Sequence, residues 1–426
     1  MEAGNKVFGL WAATAPQRLK LAAFEGERSC DVAVIGGGYT GASAALHLAE
    51  AGVDVILLES QEIGYGGSGR NVGLVNAGLW MLPDDIVKAA GPKYGERINA
   101  VLGRSPELVF ELIKKHNIQC EVQSTGTLHC AHSKGGYAYL KEREAQWQRR
   151  GAPVKLLGRD EAAQKTGSPA FHGALLDSRA GTVQPLAYVL GLARAALNAG
   201  ASLHEHSPVT QLVREGDRWR LATQNGNVKA RAVIMATNAY IEKIYDHLKE
   251  GFIPFNWFQF ATSPLPERIR RTILPEGQGA WDTDTVLSSY RLDQSGRLIV
   301  GSVGQVEGWA YGLHQKWAQR TIRRVFPQVD DFKLEYSWHG VIAMTADHIP
   351  RFHILGPDLF MTANYNGRGI GPGTVFGKLL AGLAMGASTD DMPLPVSQPQ
   401  SIGLRKAREL FYESGARLYH FVQRRI

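Results

Sequence analysis

The chain has 426 residues, 44% of them apolar and 20% charged, which is typical of a folded protein large enough for two packed domains and excludes a disordered chain. Its 47 Lys and Arg residues outnumber its 40 Asp and Glu residues and give a net charge of +7, but they are spread along the sequence. A nucleic-acid-binding protein would concentrate them in a stripe or a tail, so we expect no nucleic-acid partner.

A β–α–β unit is predicted near the N-terminus. Cys30–Ile35 is a short run rich in valine and isoleucine, which is typical of a buried parallel strand. Small and apolar residues at helical spacing follow from Tyr39 to Ala51, and Gly52 ends this predicted helix. Val53–Leu58 is a second predicted strand.

The turn between the first strand and the helix carries a G-x-G-x-x-G motif. Gly36 permits a tight turn, Gly38 leaves room for a pyrophosphate, and Gly41 allows the helix to pack closely on the strand. Tyr39 and Thr40 lie between these glycines, where the phosphates would meet free N–H groups at the positive end of the helix.

Glu59 follows the second strand, 18 residues after Gly41. A carboxylate at this point can accept hydrogen bonds from ribose hydroxyl groups and repels the additional phosphate of NADP. The pattern therefore predicts an adenine dinucleotide site, whereas the alternative is a glycine-rich turn in another α/β protein.

Two further glycine-rich segments favour FAD over NAD. The segment Gly64–Gly78 contains Ser68, Arg70 and Asn71, and a second loop of this kind can wrap a long FAD molecule. A late loop with Gly367, Arg368, Gly369 and Ile370 precedes a predicted helix and offers backbone N–H groups to the pyrimidine end of an isoalloxazine.

The remaining elements alternate between helical and strand-like segments. We predict helices over residues 84–115, 137–149, 185–199 and 374–385, and strands over residues 126–131, 202–213, 219–223, 228–236, 287–292, 297–303 and 359–362, with strands dominating from 251 to about 328.

The predicted fold class is α/β, with a Rossmann-type FAD-binding domain and a second, mainly antiparallel β-sheet substrate domain. We assign residues 27–115, 150–250 and 340–390 to the FAD-binding domain, residues 116–149 and 251–339 to the substrate domain, and residues 391–426 to a C-terminal helical segment.

The motifs VIGGGYTG, LLES, GYGGSGRNVG, GTVQP, IMATNAY and NYNGRGIGPG occur in this order along the chain. This combination resembles the D-amino-acid-oxidase-like FAD oxidoreductases over nearly the whole chain, and most of all the branch that contains gamma-glutamylputrescine oxidoreductase and bacterial L-pipecolate oxidase. The resemblance implies that a small amine or amino acid loses hydride to flavin N5 and becomes an imine. Oxygen then takes up the electrons and gives hydrogen peroxide, or another acceptor does so.

The resemblance also assigns roles to residues. It implies that the three motif glycines and Glu59 bind the adenosine and pyrophosphate parts of FAD, with Ser68, Arg70 and Asn71 beside them. Val209 matches the backbone position that contacts adenine, and Thr237 ends the strand that returns under the cofactor. The late glycine loop matches the loop that meets the flavin ring.

One departure from the family concerns the substrate carboxylate. Many amino-acid oxidases of the family hold it with the arginine of a G-x-R-P-like element, but the matching stretch here, residues 338–344, has no arginine. Arg368, which stands where the close branch often has histidine, and Arg291 are alternative carboxylate ligands. Tyr290 and His339 are further candidates for the substrate site, and a structural role is the alternative for each of these four residues.

The narrower prediction is a cyclic or secondary amino acid such as L-pipecolate, and the alternative is gamma-glutamylputrescine or a related primary amine. Two other classes stay open, an NAD-linked dehydrogenase and a non-catalytic flavin-binding subunit.

We expect FAD to be bound non-covalently, because none of the three cysteines is near the late glycine loop. We also expect no metal site. The cysteine usage, with no signal peptide and no run of about 20 apolar residues, predicts a cytoplasmic protein without a transmembrane segment. Contact with a membrane surface and the oligomeric state are left open.

Overall fold

A computed structural model of the chain describes residues 8–241, 243–308 and 310–422. The α-helices within these ranges are α1 (Leu10–Thr14), α2 (Tyr39–Glu50), α3 (Pro83–Gly103), α4 (Ser105–Lys115), α5 (Lys134–Gln148), α6 (Arg159–Thr166), α7 (Pro185–Asn198), α8 (Glu267–Arg270), α9 (Ala310–Val325), α10 (Ile370–Ala384) and α11 (Arg405–Val422).

The strands are β1 (Gly26–Ile35), β2 (Val55–Leu58), β3 (Leu74–Val75), β4 (Thr127–Cys130), β5 (Val154–Leu157), β6 (Ala174–Asp177), β7 (Gly181–Thr182), β8 (Ser202–His204), β9 (Gln211–Glu215), β10 (Arg218–Ala222), β11 (Gly226–Met235), β12 (Ile253–Thr262), β13 (Gly279–Asp282), β14 (Ser288–Leu292), β15 (Leu298–Val303), β16 (Leu334–Met344), β17 (Arg351–Gly356) and β18 (Leu359–Ala363).

The first sheet is the nucleotide-binding layer. Its strand order is β17-β18-β11-β1-β2-β8, with β10 and β9 added beside β11, and β1 pairs in parallel with both β11 and β2. The inward residues of β1 and β2 are buried, because helices α2, α7 and α10 cover the sheet and share one hydrophobic core with it. This layer is the predicted Rossmann-type arrangement.

The second sheet has eight strands in the order β16-β12-β15-β14-β13-β4-β6-β5. All of its pairings are antiparallel except that between β4 and β13. Helix α9 covers one face of it, and Phe258, Phe260 and Trp317 lie in the core between them. The sheet is therefore mainly antiparallel, as predicted.

The domain division differs from the structure at residues 150–177. That segment was assigned to the FAD-binding domain, but β5 and β6 pair with each other and with β4 in the second sheet. A short apolar strand carries no local signal for the sheet that it joins, because its partner strand is chosen by contacts distant in sequence.

Two element predictions also differ from the structure. Helix α9 interrupts the region 251–328 in which strands were expected to dominate, although His314, Trp317, Thr321 and Val325 recur on its buried face at helical spacing. Helix α10 begins at Ile370, four residues before the predicted start, so that the late glycine loop leads directly into its first turn.

The two ends of the described chain behave differently. Phe8, Leu10 and Trp11 are buried in the main core, so this apolar stretch packs on the protein itself. Helix α11 lies on the outside of the second sheet and on α9. Within the described ranges, every helix is too short or too polar to cross a lipid bilayer.

Candidate functional site

A cavity of about 1440 Å³ lies between the two sheets. Its walls have three origins: the glycine loops of the first sheet, the inner face of the second sheet, and one side of α11. Elements from both ends of the sequence therefore meet around one cavity.

One end of the cavity is built from two helix N-termini. Gly38 precedes α2 and Gly369 precedes α10, and neither helix has a side-chain N-cap. Thr40 on α2 and Tyr365 beside α10 share a hydrogen bond of 2.8 Å that holds the two helices together. The positive ends of both helix dipoles consequently point into the same part of the cavity, which is suited to an anion.

Glycine is required at different positions of the first loop for different structural reasons. Gly36 has a φ of +106°, which L-residues rarely adopt. A Cβ at Gly41 would overlap the carbonyl oxygen of Gly36, so this residue allows α2 to approach the loop. Gly36 and Gly38 line the cavity with Tyr39 and Thr40, whereas Gly41 lies behind them at the helix–loop contact.

Glu59 lines the cavity at the end of β2 and is buried. Its carboxylate accepts hydrogen bonds from the backbone N–H of Gly37 at 2.6 Å and from that of Gln61 at 2.9 Å. The carboxylate is therefore fixed beside the first glycine loop, where the ribose was predicted.

The second glycine loop is tied to the first by side chains. The hydroxyl of Ser68 accepts from the backbone N–H of Tyr39 at 3.0 Å, and the Tyr39 hydroxyl donates to the Ser68 carbonyl at 2.7 Å. The Asn71 amide donates to that carbonyl, to the Tyr39 hydroxyl and to the Gly67 carbonyl. Ser68 and Asn71 line the cavity, and these bonds hold the loop in its shape.

Arg70 lies between two aromatic rings. Its guanidinium is 4.6 Å from the ring centre of Tyr65 and 5.4 Å from that of Tyr240. Nε donates to the Tyr65 carbonyl at 2.7 Å, but the buried Nη2 has no hydrogen-bond partner among residues 8–241, 243–308 and 310–422. The same is true of the buried Thr237 hydroxyl, and both residues line the cavity.

The other predicted cofactor residues line the cavity too. They are Val209, Gly367, Arg368, Gly369 and Ile370. Val209 lies after the strand that follows α7, and the remaining four form the late glycine loop, in which Gly367 has a φ of +84°.

Arg368 is the most unusual of these residues. It is 8% exposed, and its guanidinium lies 4.5 Å from the ring centre of Trp281. Trp281 in turn stacks on His129 at 3.3 Å. Burial lowers the pKa of Arg368 to about 9, and within the described part of the chain no carboxylate forms a salt bridge with it. A buried cation that faces a cavity without a counterion is suited to an anionic ligand.

Arg291 does not line the cavity. It is 2% exposed, and its guanidinium donates to the backbone carbonyls of Val72, Gly73 and Val183 at the junction of the two sheets. Burial lowers its pKa to about 10. The guanidinium of Arg291 is thus bound to backbone carbonyls and not directed into the cavity.

Tyr290 and His339 lie outside the cavity as well. The Tyr290 hydroxyl donates to buried Asp282 at 3.4 Å on the core side of β14, whereas its neighbour Ser289 lines the cavity. His339 in β16 lies 3.6 Å from Glu307, and burial lowers its pKa. Neither side chain is brought together with Arg368.

The residue pattern did not reveal several cavity residues. His129 and Trp281 belong to β4 and β13, which pair although they are far apart in sequence. Helix α11 adds Arg408, Phe411 and Tyr419. A local pattern could have indicated only that α11 is amphipathic. In the described residues, no group of His, Cys, Asp and Glu has the arrangement of a metal site.

Comparison with known proteins decides the family. A sequence model described as DAO, FAD dependent oxidoreductase, matches residues 31–383. The chain belongs to this family. The predicted resemblance, the FAD cofactor and the FAD-dependent oxidoreductase class are confirmed by this assignment.

Relatives of this DAO-family chain include gamma-glutamylputrescine oxidoreductase of Escherichia coli, which is 33% identical over 366 residues, 84% of each chain. The probable oxidoreductase OrdL of Haemophilus influenzae is 30% identical over 403 residues, 92% of each chain. Among solved structures, glycine oxidase from Geobacillus kaustophilus has a TM-score of 0.71 at 21% identity and covers 88% of this chain and 100% of that one. These similarities confirm the DAO-like fold.

The cavity of this DAO-family chain fits FAD on its own features. The two helix N-termini provide positive potential for a pyrophosphate, and so do the Arg70 and Thr237 donors, which have no partner among the described residues. The buried cysteines Cys30, Cys120 and Cys130 do not line the cavity.

Proposed function

We propose that this DAO-family oxidoreductase oxidises the carbon–nitrogen bond of a small amine or amino acid that carries a carboxylate. The chemistry that bound FAD supplies is the two-electron oxidation of the donor. The donor loses one hydrogen from carbon and one from nitrogen and becomes an imine. With oxygen as the proposed acceptor, both hydrogens end in hydrogen peroxide, so that one amine and one oxygen give one imine and one peroxide.

We assign the cofactor to the residues predicted from the sequence. Gly36, Gly38 and the α2 N-terminus would meet the pyrophosphate, and Glu59 would meet the ribose. Arg70 and Thr237 would donate to the cofactor, because their buried donor atoms are without partners in the described chain. The other cavity-lining residues predicted from the sequence would complete the site, and we propose that FAD is held there non-covalently.

The observation that carries the substrate proposal is the buried, cavity-facing Arg368 guanidinium. Taking a charge out of water is costly unless an opposite charge accompanies it. The substrate carboxylate would provide that charge, and a guanidinium binds a carboxylate through two parallel hydrogen bonds. The contact with the Trp281 ring, 4.5 Å from the guanidinium to the ring centre, would help to hold the guanidinium in place for the substrate.

Two donors are considered. Gamma-glutamylputrescine is favoured by the relative from Escherichia coli with that name, which is similar over 84% of both chains. A cyclic amino acid such as L-pipecolate is favoured by the position of Arg368 in the loop that resembles the flavin-contacting loop, because its carboxylate lies next to the reacting carbon. We place gamma-glutamylputrescine first, since the similarity covers most of both proteins.

The test is anaerobic reduction of the bound flavin, followed by its absorbance. The purified protein is mixed in turn with gamma-glutamylputrescine, L-pipecolate, glycine and putrescine, the last of which has no carboxylate. We expect bleaching by a carboxylate-bearing donor and not by putrescine, with peroxide formed after oxygen is admitted. A yellow protein that none of the donors bleaches would support the non-catalytic flavin subunit, and bleaching by putrescine alone would refute the carboxylate requirement.

A further inference from the structure

Helix α11 exposes an apolar stripe of which only Phe411 also lines the cavity. We define the outer stripe as Leu404, Ala407, Leu410, Phe411, Leu418 and Val422. Ala407, Leu410, Phe411, Leu418 and Val422 recur at spacings of three, four and seven, so they share one side of the helix, and Leu404 directly precedes its first turn. Leu404 is 80% exposed, Leu410 63% and Leu418 64%. Large apolar side chains concentrated in this way indicate a contact surface.

The opposite side of α11 is firmly anchored. Asn256 of β12 donates to Glu413 at 2.7 Å, and Arg320 of α9 donates to the His420 carbonyl at 2.8 Å. The buried His420 ring lies 3.0 Å from that of His314, measured between the Nδ1 atoms. These bonds orient the helix, and the outer stripe is therefore held facing solvent.

Basic residues border the outer stripe. Lys406 and Arg408 are exposed on either side of it, and within the described chain neither forms a salt bridge. Arg417 lies further along α11 and forms a salt bridge with Glu413. In the sequence Arg424 and Arg425 come next, beyond the described residues. An apolar helix side flanked by cations is the pattern of helices that lie in the interface of an anionic bilayer.

We propose that the outer stripe docks on the surface of a lipid bilayer that contains anionic headgroups. The apolar side chains would enter the boundary between headgroups and acyl chains, and Lys406 and Arg408 would meet the phosphates. A second copy of the chain fits less well, because pairing two outer stripes would bring their positive flanks together without an exposed acid on either flank to offset them.

This docking would also place the cavity beside the bilayer. Arg408, Phe411 and Gly415 belong to the edge of α11 that lines the cavity, and all three are exposed. The side of the cavity formed by α11 would thus face the lipid surface.

The test is cosedimentation of the full-length flavin-loaded protein with vesicles. One set contains phosphatidylcholine alone, and the other contains phosphatidylcholine mixed with phosphatidylglycerol. We expect binding to the anionic vesicles that weakens as salt is raised, because exposed charges are screened. The double variant Leu410→Ser/Leu418→Ser should lower the partition coefficient about tenfold or more, since two exposed leucines no longer enter the bilayer.

A charge variant and its control separate the two contributions. Lys406→Gln/Arg408→Gln should lower the partition coefficient about fivefold for each charge removed. Lys141→Gln/Lys229→Gln removes the same charge from exposed positions elsewhere and should leave binding unchanged. Flavin absorbance and melting temperature report that each variant is folded.

Three results would overturn the proposal. They are absence of binding to the anionic vesicles, equal binding to both kinds of vesicle, and an equal loss of binding in the charge variant and its control. Light scattering gives an independent answer. A dimer that Leu410→Ser/Leu418→Ser separates into monomers would assign the outer stripe to a second copy instead.

Discussion

Replacing Arg368 by methionine should separate substrate recognition from stability. A carboxylate that loses its charge-assisted partner in a desolvated site costs about 2–4 kcal/mol, which corresponds to a fall of about 30-fold to about 1000-fold in kcat/KM for carboxylate-bearing donors. A donor without a carboxylate should lose little or gain, because the variant no longer places a cation in the cavity. Steady-state peroxide formation with each donor measures this difference.

Although Arg368→Met should lower activity towards carboxylate-bearing donors, it should not lower the stability of the protein. Burial lowers the pKa of Arg368 to about 9 without a salt bridge in the described chain, so at pH 7 the charged side chain opposes folding. This cost is present below pH 9 and declines as the pH rises through the folded pKa. We therefore expect Arg368→Met to keep or raise the melting temperature at pH 7.

Arg291→Met is the matched control, because Arg291 is also a buried arginine. Its guanidinium satisfies three backbone carbonyls, and their loss should lower the free energy of unfolding by about 3 kcal/mol or more. Thermal unfolding followed by circular dichroism measures both variants. Equal destabilisation of the protein by Arg368→Met and Arg291→Met would contradict the proposed role of Arg368. An equal fall in kcat/KM of Arg368→Met for donors with and without a carboxylate would contradict it as well.

Three other predictions follow from local geometry. Gly41→Ala should lower flavin content and melting temperature because its Cβ would overlap a backbone carbonyl. Gly312→Ala, with open space around it in helix α9, should leave the flavin content unchanged and keep or raise the melting temperature. The ratio of absorbance at the flavin band to that at 280 nm reports occupancy. Burial lowers the pKa of His314 to about 4 and that of His420 to about 3, so below pH 6.5 the unfolded chain takes up protons that the folded chain does not. The free energy of unfolding should therefore fall between pH 6.5 and pH 4. Unfolding in urea should show a less steep fall in His420→Gln than in the parent. Burial raises the pKa of Asp282 to about 7, so Asp282→Asn should be more stable than the parent at pH 8, with a difference that shrinks as the pH falls below 7; an unchanged difference would contradict this cause.

The end of the cavity that we propose for the dinucleotide has a geometry that the sequence predicts, because its determinants are local. A strand, a glycine turn and a helix within residues 30–51 specify the loop by themselves. The position of Glu59 is set locally too, because this residue comes directly after the second strand. The late glycine loop was found in the same way. All of these lie where a short segment of backbone sets the geometry.

The end of the cavity around Arg368, which we propose for the substrate, could not be predicted in the same way. Ser289 lines the cavity whereas Tyr290 faces the core, and only the packing of β14 against α9 and its neighbours decides this side. His129 and Trp281 meet because β4 and β13 pair in parallel, and no local pattern encodes that register. Arg368 was identified as a candidate, but its stacking on Trp281 depends on this pairing.

The charge of the cavity argues for a donor with separated charges. The N-termini of α2 and α10 and the guanidinium of Arg70 make one end of the cavity positive, which would match the cofactor phosphates. Arg368 adds a further positive charge that would still need an anion to balance it. A donor that carries only ammonium groups would meet repulsion from Arg368 in a site of low dielectric. A donor with a carboxylate would gain an ion pair and could bring its amine to the reacting position at the same time. Arg368, which has no salt-bridge partner among the described residues, therefore favours amino acids and carboxylated amines over simple diamines, whichever of the two proposed donors is the natural one.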